Sequence, residues 1–313
     1  MFLGIDGGGT KTAFCLLSSS GEVIATAERS TCYYLSVGMD EVHRVLDDGI
    51  REICREAEIS LNDIDHAFFG LPAYGEGPQV IDTLDNIPKR ILGHRRYTCG
   101  NDMICGWAGS LGAKDGINVI AGTGSMTYGE NGGHGFRCGG WGEIFGDEGS
   151  AYWIACRGLN VFTRMSDGRL EKEALYDLIS KKMMLTDDLE LIDIIINQWD
   201  SDRARIAELA TLVIDAAHLG DRHALKILSD SAYELAQLVD VTRRNLNFDT
   251  VERIPVSYSG GVFRDSLILE AFSKNLAGLG ANYELRDPLY SPAVGAALYA
   301  AKLVNIPIQI KSI

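Results

Sequence analysis

The chain has 313 residues, 46% hydrophobic and 23% charged, which suits two globular cores in water. A net charge of −14 and a pI near 4.9 argue against a nucleic-acid partner, yet leave room for a single nucleotide, since a small phosphate site can be built from backbone N–H groups. No apolar run reaches the ~20 residues of a membrane span, no basic leader precedes the first apolar run, and seven cysteines (Cys15, Cys32, Cys54, Cys99, Cys105, Cys138, Cys156) form no CxxC pair, so a cytoplasmic protein with reduced thiols and no membrane partner is expected.

In chain order, residues 2–6 read as a strand closed by a carboxylate, followed by strands at 12–17 and 22–29 across a Ser/Gly turn. Residues 39–56 place Val42, Val45, Leu46, Ile50 and Ile53 on one helical face. A buried strand at 67–70, a helix over 78–92 that Pro88 is expected to end, a weak strand at 95–100 and a helix at 102–111 complete a βββαβαβα order. A second start follows, with strands at 118–121 and 125–128 around a Gly-rich turn. Laying Ile5-Asp6-Gly7-Gly8-Gly9-Thr10-Lys11-Thr12 over Ile120-Ala121-Gly122-Thr123-Gly124-Ser125-Met126-Thr127 aligns Ile, two Gly, Thr with Ser, and Thr, which predicts two related halves. Residues 150–246 read as almost entirely helical, with segments at 171–185, 187–199, 201–218 and 221–246. A strand at 256–259, a helix at 267–279, a strand at 282–285 and a helix at 293–304 finish the chain. The predicted domains are 1–113 and 114–313, with a helical insertion at about 150–247 in the second and the last helix a candidate to pack back on the first.

Five segments carry chemistry. In the first, Gly7, Gly8 and Gly9 allow a tight turn and close approach of a phosphate, Thr10, Lys11 and Thr12 add donors, and Asp6 suits Mg²⁺ held through water. It is not a Walker A loop, which read from Gly4 would need Lys where Thr10 stands. Gly122, Thr123, Gly124 and Ser125 form the second. Each alone reads equally as a glycine-rich hairpin turn; the pair suggests two loops clasping a triphosphate across a cleft. Asn101-Asp102, at a strand-to-helix junction, reads on spacing as a helix N-cap, or as a general base for a hydroxyl. The run 138–150 (CGGWGEIFGDEGS) offers Trp141 to stack on a sugar and Asp147 to accept hydroxyl bonds, or is a surface loop with Asp147 or Ser150 capping the next helix. Gly260 and Gly261, between a strand and a helix, would let a base or ribose lie against backbone.

The ordered set DGGGTKT, ND, AGTGS, GGWGxxxGDEGS, SGG and SPAVGAAL resembles the N-acetylglucosamine kinase branch of the actin/hexokinase/Hsp70-like ATPases, the BadF/BadG/BcrA/BcrD family, from Met1 to about Val304. The resemblance implies an α/β fold of two ribonuclease-H-like domains closing on a cleft, and a kinase using ATP and Mg²⁺ to phosphorylate an amino sugar, most plausibly N-acetylglucosamine at O6. It assigns Gly7–Thr12 and Gly122–Ser125 to the phosphates, Asp6 to the metal, Asp102 to the base, and Gly260 and Gly261 to adenosine. It assigns Asn101, Leu71, Trp141, Asp147, Cys138, Gly139 and Gly140 to the sugar pocket, and it implies homodimers through the helical part. Where the branch carries a sugar-binding Asn, Cys32 or Tyr33 stands here, so glucosamine and N-acetylmuramic acid stay open as substrates. The same family includes activator ATPases of CoA-ester enzymes; those carry a Cys before Ala-Gly-Thr-Gly, and this chain has Ile120.

Overall fold

The computed structural model of the protein describes residues 1–311. Two compact units emerge: Met1–Asp115 together with the chain from Asp287, and Gly116–Arg286.

The first unit begins with β1 (Phe2–Gly7), β2 (Lys11–Leu17) and β3 (Val23–Ser30), followed by the short α1 (Tyr34–Val37), α2 (Met39–Glu56), β4 (His66–Leu71), α3 (Ile81–Leu92), β5 (Tyr97–Asn101) and α4 (Met103–Leu111). The sheet order is β3-β2-β1-β4-β5; the first three strands are antiparallel and β4 and β5 run parallel to β1. Phe2, Leu3, Gly4 and Ile5 are buried in succession, as a central strand covered on both faces requires. On α2 the buried residues Val42, Val45, Leu46, Ile50 and Ile53 form the single stripe their spacing predicts. α3 continues through Pro88 to Leu92, against the expected stop. Leu84, Ile87, Ile91 and Leu92 are all buried on that helix, and this packing outweighs the ~3 kcal/mol a proline costs inside a helix.

The second unit repeats the plan. β6 (Gly116–Ala121), β7 (Ser125–Asn131) and β8 (His134–Gly139) are antiparallel. Seven helices follow or intervene: α5 (Ala151–Ser166), α6 (Ala174–Met183), α7 (Glu190–Ile192), α8 (Arg203–Glu208), α9 (Ala210–His218), α10 (Arg222–Asn245) and α11 (Ser266–Ala277). β9 (Ile254–Ser259) and β10 (Tyr283–Arg286) run parallel to β6, giving the order β10-β9-β6-β7-β8, the first sheet's order read from its other end. β8 carries little alternation of apolar residues and is only partly buried, which is why the sequence pattern passes over it. The predicted helix at 201–218 is broken at Leu209, and 187–199 resolves into α7 and a π-helical run, Asp193–Gln198.

The closing helix α12 (Pro292–Leu303) belongs to the first unit. Ser291 caps it by accepting from the Val294 N–H (3.4 Å), with Pro292 in the first turn, where no N–H is needed. Its small residues let backbones touch: a Cβ on Gly295 would collide with Gly109 of α4, and one on Gly4 of β1 would collide with Ala297.

Candidate functional site

Both sheets end their central strand in a glycine hairpin, and each hairpin anchors a cluster of candidate residues at the carboxyl ends of its parallel strands, the usual ligand side of such sheets.

In the first unit the Asp6-Gly7 end of β1 faces the ends of β4 and β5. A Cβ on Gly7 would lie 2.5 Å from Cys32 Sγ and 2.9 Å from the Gly70 carbonyl, and one on Gly70 would lie 3.2 Å from Asp102 Cα. Asp6, Gly70, Asp102, Cys32 and Cys105 therefore meet in one place, with Cys105 Sγ directed at the Ile5 carbonyl (3.5 Å). Burial and then the charge of Asp102 push Asp6 up to about 7. Burial lifts the Cys32 thiol to about 11, so it is a packing group rather than a nucleophile. Asp6 fits Mg²⁺: a divalent cation would relieve its repulsion with Asp102, and Mg²⁺ takes one or two carboxylates and completes its shell with water and phosphate oxygens. Among the described residues no group of three or more His, Cys, Asp or Glu forms a metal cage by itself.

The junction at Asn101-Asp102 separates the two readings of the sequence. Asp102 stands at the N-cap position of α4 with helical φ −61° and ψ −24°, and its side chain makes no cap bond. The capping is done by Asn101, whose Oδ1 accepts from the Met103 N–H (3.1 Å) while its Nδ2 donates to the Tyr74 carbonyl (3.2 Å). The Asp102 side chain therefore takes no part in capping α4. Leu71, expected at the sugar, is buried at the end of β4.

The hairpin residues differ among themselves. The Gly8 N–H bonds the Lys11 carbonyl (2.8 Å), closing the turn, and the Thr31 hydroxyl donates to the Gly8 carbonyl (2.7 Å). Thr12 is fully buried and donates to the Ser30 carbonyl (2.9 Å); Lys11 pairs with Glu28 at 2.5 Å on the exposed surface; Thr10 and Gly9 are exposed. The second hairpin sorts in the same way. Ser125 is buried, its hydroxyl donating to the Glu148 carbonyl (2.7 Å), while Thr123 is exposed. The Gly122 carbonyl accepts from the Ala151 N–H (2.8 Å), docking the turn on the start of α5, which Ser150 caps by accepting from Trp153 N (3.2 Å).

The run after β8 joins this hairpin. The Gly140 N–H bonds the Ser125 carbonyl (2.9 Å), and Gly139 and Gly140 adopt φ of 78° and 71°, which favour glycine. Cys138, on β8, is half-buried. Trp141, Ile144 and Phe145 are exposed, Trp141 by 71%. Asp147 is buried, with a left-handed φ of 56°, accepts from the Ser125 N–H (3.4 Å) and is ion-paired with Arg203. Burial raises its carboxyl above the usual range, and Arg203 opposes that rise. Arg203 went unnoticed in the sequence because it lies 56 residues from Asp147 inside a helical stretch, where no local pattern marks it.

Gly260, with φ 101° and ψ 164°, backs onto the same turn: a Cβ there would collide with the Ala121 carbonyl. The fold explains Gly7, Gly124 and Gly260 by crowding. It does not explain Gly9, Gly122 or Gly261, where a Cβ would meet nothing within 4 Å and φ lies outside the left-handed range.

Two α/β units of one strand order, each with a glycine hairpin closing its central strand, define an actin/hexokinase-type ATPase fold. Residues 3–300 match the BadF/BadG/BcrA/BcrD ATPase family, and the chain belongs to it. An N-acetyl-D-glucosamine kinase from Dictyostelium discoideum is 30% identical over 310 residues, covering 96% of this chain and 97% of its own. An N-acetylmuramic acid/N-acetylglucosamine kinase from Clostridium acetobutylicum is 30% identical over 279 residues, 88% of this chain and 89% of its own. A solved structure from Chromobacterium violaceum, itself described only provisionally as an N-acetylglucosamine kinase, superposes with a TM-score of 0.70 at 25% identity over 95% of this chain and 98% of its own. Among the described residues no helix is long and apolar enough to cross a membrane.

Proposed function

We propose that the protein transfers the γ-phosphoryl group of ATP to a hydroxyl, O6, of an amino sugar, N-acetylglucosamine or its N-acetylmuramic acid relative. The observation that carries this reading is Asp102: a carboxylate beside Asp6 at the carboxyl ends of the strands, standing at a helix start without serving as its cap. The similarity to two kinases of this substrate class over most of the chain supports it.

In the proposed reaction the sugar hydroxyl oxygen bonds to the γ-phosphorus, the bond from phosphorus to the β,γ-bridging oxygen breaks, and ADP leaves. Asp102 orients the hydroxyl and accepts its proton, which transfers late in a loose transition state. Mg²⁺, when bound, would neutralise charge on the phosphates, held on this chain by Asp6. Backbone N–H groups of Gly7–Gly9 and Gly122–Gly124, with the exposed hydroxyls of Thr10 and Thr123, bind the phosphates, and the unexplained openness at Gly9 and Gly122 leaves them space. Gly261 does the same for the adenosine. Trp141 offers a face to the sugar. Thr12 and Ser125 act by holding the hairpins, since each hydroxyl already donates to a carbonyl.

A homodimer through the helical part is part of this proposal. Met184, Leu189, Ile192 and Ile196 are 83%, 72%, 62% and 54% exposed along one segment there, an apolar set that a second copy would cover. A compartment that supplies ATP and keeps seven unbridged cysteines reduced, the cytoplasm, fits the same picture.

The test is ADP release measured with ATP and Mg²⁺ against a panel of glucosamine, N-acetylglucosamine, N-acetylmuramic acid and glucose, with mass analysis of the sugar product. Rapid turnover with an N-acetylated amino sugar and formation of its 6-phosphate are expected. ADP release indifferent to every sugar would remove the kinase reading.

A further inference from the structure

Arg203 is the first residue of α8, and the chain delivers it there under constraint. Asp200 and Ser201 are both left-handed, with φ of 50° and 53°, a conformation L-residues hold only when surrounding structure fixes it. Asp202 then caps α8 by accepting from the Arg205 N–H (2.8 Å), which sets where the helix begins. From that start the guanidinium meets two carboxylates of the glycine-rich run. It pairs with Asp147, whose side chain is 3% exposed, and its Nε lies 3.3 Å from Glu143 Oε2, whose side chain is 32% exposed, an ion-pair contact without a hydrogen bond at the buried Nε.

The two arms lead to different places. The Asp147 arm runs into the second hairpin: Asp147 Oδ1 takes the Ser125 N–H (3.4 Å), and a Cβ on Gly124 would lie 2.8 Å from Asp147 Oδ2 and 2.6 Å from the Arg203 guanidinium. Gly124 is therefore a glycine because this ion pair fills the space beside it. The Glu143 arm runs into the exposed stretch that carries Trp141, Ile144 and Phe145. The arms also differ in strength. A buried carboxylate that loses its partner is left uncompensated at high cost, whereas a half-exposed pair contributes little on its own. The Asp147 arm is thus a fixed anchor and the Glu143 arm a movable one.

We infer that Arg203 is a positioning residue that couples the two ligands, holding the second phosphate hairpin through Asp147 and the Trp141 stretch through Glu143. The inference rests on the kinase reading, because it takes the hairpin as the nucleotide's and the Trp141 stretch as the sugar's. When the sugar orders that stretch, Glu143 is held against Arg203, and the hairpin that Arg203 braces is ordered for the nucleotide. By linkage the nucleotide favours the sugar by the same factor.

Calorimetry of the full chain decides this. The Kd of a Mg²⁺-complexed non-hydrolysable ATP analogue is measured with and without saturating N-acetylglucosamine, for wild type, Arg203→Gln, Arg203→Lys and Glu143→Ala. Wild type is expected to bind the analogue at least ~5-fold tighter with the sugar present, in the range usual for coupled sites. In Glu143→Ala and Arg203→Gln that factor should fall toward one, and Arg203→Lys should recover part of it. A merely structural arginine would weaken folding or either ligand alone and leave the factor intact. If Arg203→Gln does not fold, Glu143→Ala, on a half-exposed side chain, still decides. A wild-type factor of one, or an unchanged factor in Glu143→Ala and in any folded Arg203 variant, overturns the inference while leaving the kinase reading in place. Wild type that binds neither ligand takes both down.

Discussion

The two glycine hairpins occupy the same place in two sheets of the same strand order, yet they are furnished oppositely. The first ends on Asp6, faced by Asp102; burial, and then the repulsion between the two carboxylates, push Asp6 up to about 7. The second ends on Ala121, and its nearest carboxylate, Asp147, is tied to a guanidinium and to the Ser125 N–H. One hairpin therefore sits beside two carboxylates, and the other beside a carboxylate matched by a guanidinium. The lesson is that a duplicated scaffold repeats the turn while the residues flanking it diverge, and the proposed roles follow that divergence: proton and metal at the first turn, rigid support at the second.

The comparison breaks most sharply at Asp102. Asp102→Asn keeps shape and removes the proton acceptor, so kcat should fall roughly 100- to 10,000-fold with Kd for an ATP analogue unchanged. Its melting temperature should hold or rise, because Asn101 and not Asp102 caps α4 and the repulsion with Asp6 is removed. Near-wild-type turnover would transfer the base role elsewhere.

The glycines sharpen it next. Gly260→Ala forces a side chain into φ 101° against the Ala121 carbonyl and should cost ~2–4 kcal/mol, seen as a lower denaturation midpoint. Gly122→Ala, one turn away, meets nothing in the protein and should shift stability by less than ~0.5 kcal/mol. It should still raise KM for ATP about tenfold, the equivalent of ~1.4 kcal/mol. A Gly122→Ala enzyme with an ordinary KM would show that the open space serves no phosphate.

The smallest effect is a pH dependence. The folded protein holds a proton on Asp6 up to about 7, while the unfolded chain releases it near 3.8. The unfolded state thus binds fewer protons between those values, and stability falls as pH rises through that window. Asp6→Asn lacks the group. In Mg²⁺-free buffer the variant's melting temperature should pull ahead of wild type between pH 4 and 7 by a few degrees and stay ahead above, although the variant is inactive. An equal difference at pH 4 and pH 8 would mean that Asp6 carries no burial penalty.

Much of this was legible in the sequence because it is local. The hairpins announce themselves through adjacent glycines, α2 through its apolar period, and the repeated start at residue 118 through a short alignment that the common strand order then explains. What escaped was non-local. The Arg203 pairing spans 56 residues, the stop expected at Pro88 is overridden by burial of its neighbours, and the half-buried β8 has no pattern to read. At Asn101-Asp102 the sequence offered a cap and a base without saying which residue was which. The geometry of the Met103 N–H assigns the cap to Asn101 and leaves the base role to the proposal for Asp102.

The central claim is that each glycine hairpin is a phosphate loop. Hydrogen–deuterium exchange of the full chain, with and without a Mg²⁺-complexed ATP analogue, reads it directly through peptides covering Gly7–Thr12 and Gly122–Ser125. Added protection in both, reduced in Gly122→Ala at the same analogue concentration, is the predicted result. Protection confined to one hairpin, with the other exchanging as in the ligand-free protein, would contradict it.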